Sequence, residues 1–157
     1  SGGFGMTTSS ASSQLSEFLF MLREAEEKLA ATEKKRAEII SNGTAANNHL
    51  KTAKNRMTSE HNRWQNANDI IVAHTKNRTV PVVYGSTAHK ICNQQKLIMD
   101  QSAAKVPALK AAVAKCEQEV EKWRLELSAI DTESSRLDGE IDRLKKLIEP
   151  AQKAQSE

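Results

Sequence analysis

At 157 residues the chain is long enough for one domain, but 38% of it is apolar, 27% charged and only 4% aromatic. That composition excludes a round globule with a thick core and suits long helices that share a narrow apolar seam. The net charge of +3 excludes neither acidic nor basic partners, and no apolar run approaches the ~18 residues that a membrane span requires.

The chain opens on SGGFGMTTSSASS, which lacks the basic segment and apolar core of a signal peptide, so the expected compartment is the cytoplasm. Residues 1–12 read as a tag, Ser1 to Gly5, followed by a disordered Ser/Thr lead from Met6. Residues 13–149 read as a single coiled-coil hairpin domain, and 150–157 as a disordered tail.

The first helix is expected over about residues 13–78. Stepping by seven from Leu15 gives Leu22, Leu29, Arg36, Gly43, Leu50, Met57, Trp64 and Ile71. The companion row is Phe18, Ala25, Thr32, Ile39, Ala46, Ala53, Glu60, Ala67 and His74. Two interleaved rows of this kind are the a and d positions of a heptad, which place one stripe of side chains against a partner helix. Arg36 and Glu60 interrupt the stripe and are expected to set register and partner choice.

The next segment, NRTVPVVYGST, breaks the pattern. Pro81 stops the incoming helix, Tyr84-Gly85-Ser86 suits a turn, and Ser86 or Thr87 can cap the outgoing helix. A strand-like tip loop is therefore expected over residues 79–86, with Val80, Val82, Val83 and Tyr84 as its apolar members.

The second helix is expected over about residues 87–149. Its a row is Cys92, Met99, Val106, Val113, Val120, Leu127, Ser134, Ile141 and Ile148, and its d row includes Ser102, Leu109, Cys116, Trp123, Ile130, Leu137 and Leu144. The fold class predicted is all-α, a long antiparallel helical hairpin or coiled coil. Folding at the tip sets Gly43 opposite Val120 or Trp123, and Trp64 opposite Met99 or Ser102. Each pairing sets large against small, as dense packing requires. The alternative is a compact four-helix bundle with breaks near Gly43 and Pro107, but the register passes both residues without a shift.

Charge is unevenly spread. Residues 41–110 hold ten Lys/Arg against three Asp/Glu, whereas residues 111–157 hold eight against eleven. A basic tip is predicted from Lys51, Lys54, Arg56, Arg63, Lys76, Arg78, Lys90 and Lys96, interleaved with Asn and Gln that suit phosphate contacts. At the other end the surplus is apolar. Phe18, Leu19, Phe20, Met21 and Leu22, with Leu144, Leu147 and Ile148, exceed what a two-stranded seam can bury and predict oligomerisation there.

No arrangement of residues suggests catalysis, a metal or a cofactor. The four histidines stand 12, 13 and 15 residues apart, unlike any compact ligand motif. Cys92 and Cys116 read as reduced seam thiols. The function predicted is a non-enzymatic coiled-coil interaction or scaffold protein, a homodimer or higher oligomer, that presents its basic tip to a partner protein. Two alternatives are nucleic-acid or anionic-surface binding by that tip, and a chaperone-like assembly of helical tentacles.

Overall fold

The computed structural model describes residues 8–76 and 81–156. The expected tag, Met6, Arg78 and Val80 lie outside the described residues. Two helices account for nearly everything else: α1, Thr8–Thr75, and α2, Thr87–Ser156. They pack antiparallel as a helical hairpin, and no strand occurs among the described residues.

The helices overrun the boundaries expected from sequence. α1 begins at Thr8, inside the stretch read as a disordered lead, and α2 continues past Pro150 to Ser156. The physical reason is that the seam continues outward. Ala11 and Ala151 are half-buried, Ala151 packs on the terminal core, and Gln155 Nε2 donates to Ser12 Oγ at 2.9 Å.

The contacts divide the chain into two units, Ser1–Gly43 with Trp123–Glu157 and Thr44–Lys122. In the first, the core is Leu15, Ala25, Ile141, Leu144 and Ile148, with Phe18, Met21, Leu22 and Leu29 packed against it. Polar contacts also cross its seam. Ser134 Oγ donates to Glu33 Oε1 at 2.6 Å, and Arg36 Nε donates to Asp131 Oδ1 at 2.6 Å. In the second unit, Ala46, Ala53, Ala67 and Ser102 are buried, and Ser102 Oγ donates to the main-chain oxygen of Glu60 at 2.8 Å. In both units every described residue of the a and d rows is buried or half-buried.

Neither suspected break ends a helix. A Cβ built on Gly43 would stand 3.6 Å from Trp123 Cβ, so this glycine faces the large residue expected opposite it. Pro107 stands on the exposed side of α2, flanked by the half-buried seam residues Val106 and Leu109. Its missing N–H therefore costs one hydrogen bond on the solvent side, while the seam holds the helix together.

At the turn, Gly85 adopts φ +79°, a left-handed conformation that glycine enters without a Cβ penalty. Ser86 then caps α2, its Oγ accepting from His89 N–H at 3.2 Å and donating to the Val83 oxygen at 2.6 Å. The Gly85 N–H donates to His89 Nδ1 at 3.0 Å. At the other side of the turn, the Thr75 hydroxyl donates to the Ile71 oxygen at 2.8 Å, and His74 Nδ1 lies 2.9 Å from the Ile70 oxygen. His74 is thus a satisfied seam histidine.

Candidate functional site

With a and d facing the partner helix, the flanking e and g positions form the two edges of each unit. In the first unit the g edge is identified by Met21, Lys28 and Glu140, which line one small cleft. In the second unit the e edge is identified by His61, Ala103 and Lys110, which line another.

The residues expected to drive oligomerisation separate into two sets. Leu144 and Ile148 are buried in the seam, and Phe18, Met21 and Leu22 are half-buried against it. Leu19, Phe20 and Leu147 remain 41%, 54% and 39% exposed. By heptad position Leu147 shares the g edge with Met21, Phe20 lies on the adjoining outer face, and Leu19 lies on the e edge. Of the eight, Phe20 and Leu147 are thus exposed beside the half-buried Met21, and Leu19 is exposed on the other edge. The cleft beside Met21, about 250 Å³, is walled by Glu24, Lys28, Arg136 and Glu140 and floored by Ala25 and Leu137.

Charged pairs in this unit form both along a helix and across the seam. Arg136 donates to both oxygens of Glu133, at 2.7 and 3.0 Å. These hydrogen bonds, with the charge of Arg136 and of Lys28, hold the Glu133 carboxyl below its ordinary value. The Arg36 guanidinium is correspondingly raised by its hydrogen bond and charge contact with Asp131.

The second unit carries the positive charge. Residues 44–122 contain twelve Lys/Arg against six Asp/Glu, a net of +6. Lys51, Lys54, Arg56, Arg63, Lys76, Lys90 and Lys96 are all exposed. Lys54, Lys96 and Lys110 stand at e positions, with His61 and His89 between them and no carboxylate at an e position from 54 to 110. Arg63 is engaged with Glu60 at 3.6 Å and Lys105 with the same oxygen at 3.7 Å.

Sequence reasoning missed the cleft on that edge. It measures about 390 Å³ and is lined by Met57, Glu60, His61, Trp64, Ser102, Ala103, Val106, Leu109 and Lys110. The heptad marks Trp64 as a seam residue, and it is one, but Ser102 and Ala103 are too small to cover it. The only available signal was that pairing of a large residue with two small ones.

No family model matches the chain, and neither a curated protein nor a solved structure matches it. No helix among the described residues is long and apolar enough to cross a membrane, and no group of three or more His, Cys, Asp or Glu among them is placed to hold a metal ion. Cys92 and Cys116 are free and half-buried in the seam. At the tip Val82 is half-buried, whereas Val83 and Tyr84 are 68% and 89% exposed, and the Tyr84 ring lies 4.7 Å from that of His89.

Proposed function

We propose that this protein is a non-enzymatic coiled-coil scaffold that associates with a second copy of itself. The observation that carries the reading is the apolar surplus of the first unit. Phe20 and Leu147 stay exposed beside Met21 although the seam below them is already filled, and surfaces of that kind mark interfaces. A second copy suits the edge chemically, because Lys28, Arg136, Glu24 and Glu140 around it offer both signs of charge to an identical surface. Light-scattering mass across a concentration series tests this. The wild-type chain is expected to exceed monomer mass, and Phe20→Glu with Leu147→Glu to return it to monomer with helicity retained. A wild type that stays monomeric throughout would remove the reading.

A second reading concerns the other unit. Its net charge of +6 and the run of Lys54, Lys96 and Lys110 along one edge support binding to a polyanion, with nucleic acid as the fitting class. Fluorescence anisotropy of a labelled single-stranded oligonucleotide, at low and moderate salt, is the test. Binding should weaken as salt rises, and absence of binding at low salt would dismiss it.

A further inference from the structure

From the cleft at Trp64 we infer a nucleotide-binding site, built for one base and its phosphate; this rests on the second reading above. Three features of the cleft point to the same ligand class. Its walls are apolar and include an indole, with Met57, Val106 and Leu109 beside Trp64. At about 390 Å³ it falls in the range of roughly 300–1,000 Å³ typical of small-molecule sites. A flat ring fits such a space and stacks on the indole, a contact available to every base.

The second feature is an acceptor without a donor. Glu60 Oε1 is buried and accepts no hydrogen bond. Arg63 and Lys105 neutralise its charge from 3.6 and 3.7 Å, beyond hydrogen-bond reach. A buried acceptor in this state favours a ligand that brings an N–H group, and each nucleobase carries at least one.

The third is the rim. Lys110 and His61 line the cleft, and Lys54 and Lys96 stand on the same edge. That edge is positive and suits a phosphate at the mouth. An apolar cation would meet repulsion there, and a plain hydrocarbon would leave Glu60 Oε1 without a donor.

The experiment reads Trp64 directly. In a Trp123→Phe background, Trp64 is the sole tryptophan, and its fluorescence is titrated with nucleoside monophosphates and with a short single-stranded oligonucleotide. Anisotropy of the labelled oligonucleotide is followed in parallel on the chain with both tryptophans. Saturable quenching is expected. Ala103→Leu, which fills the cleft from an exposed helical position without changing charge, should weaken binding about 10- to 100-fold, the scale of one lost base stack. Lys110→Glu should weaken it too. Equal quenching by monophosphates identifies a free nucleotide as the ligand, and quenching by the oligonucleotide alone identifies a strand. Oligonucleotide binding that leaves Trp64 unquenched and ignores Ala103→Leu would overturn the cleft site while leaving the basic-edge reading intact. Failure of both signals would overturn the two together.

Discussion

Gly43 and Trp123 face each other across the seam of the first unit, with 3.6 Å between Trp123 Cβ and the place a Cβ on Gly43 would occupy. That spacing is ordinary van der Waals contact. Glycine within a helix is less favourable than alanine by about 0.5–1 kcal/mol. Gly43→Ala should therefore raise stability by up to about 1 kcal/mol, measured by urea unfolding. A destabilised variant would show that the indole needs the empty space.

Pro107 offers a sharper case. It lies in the interior of a 70-residue helix, where proline costs about 3 kcal/mol relative to alanine. Pro107→Ala should raise the thermal midpoint, and by more than Gly43→Ala does. If Pro107→Ala were neutral, the helix would already have relieved the lost hydrogen bond by another route.

Leu144 and Leu147 make a matched pair of substitutions, one fully buried and the other 39% exposed. Leu144→Ala should cost about 2–5 kcal/mol in unfolding free energy, by loss of burial and creation of a cavity. Leu147→Ala should cost the isolated chain far less and show its effect chiefly in oligomer mass. Comparable losses in monomer stability would place Leu147 in the seam after all.

Acid sensitivity follows from Glu133. Its carboxyl is held below the ordinary value by Arg136, so the folded state binds that proton less readily than the unfolded chain. The contribution is fully present above the unfolded value, near 4.5, and is lost as pH falls through the lower folded value. Thermal midpoints measured downward from pH 6 should fall less steeply in Glu133→Gln than in the wild type. Parallel curves would mean that the pair with Arg136 forms equally in the unfolded chain.

Much of this molecule is legible in its sequence, for a definite reason. A heptad that keeps one phase from Leu15 to Ile71 and again from Cys92 to Ile148 specifies which stripe is buried, and a lone turn signal between them specifies antiparallel return. Gly43 opposite Trp123 follows from that register. The ends were less legible, because Ser12 and Gln155 are polar and signal no core, yet they meet across the seam. The Trp64 cleft was hidden because periodicity reports which residues face inward and not whether their neighbours are large enough to cover them. Composition registers an apolar surplus, but only packing separates Leu144, fully buried, from Phe20, 54% exposed.

A second copy can use Phe20 and Leu147 only if one chain closes the first unit on itself. Ser12 and Gln155 allow a direct test, since Gln155 Nε2 lies 2.9 Å from Ser12 Oγ. With Cys92 and Cys116 replaced by alanine, Ser12→Cys and Gln155→Cys introduce the only two thiols. Cross-linking with a short bis-maleimide, which spans the extra reach of the glutamine side chain, followed by denaturing mass analysis then reports which ends meet. The predicted product is a cyclised single chain. A covalent dimer as the main product, at low protein concentration, would mean that the ends of different chains pair and would contradict the hairpin.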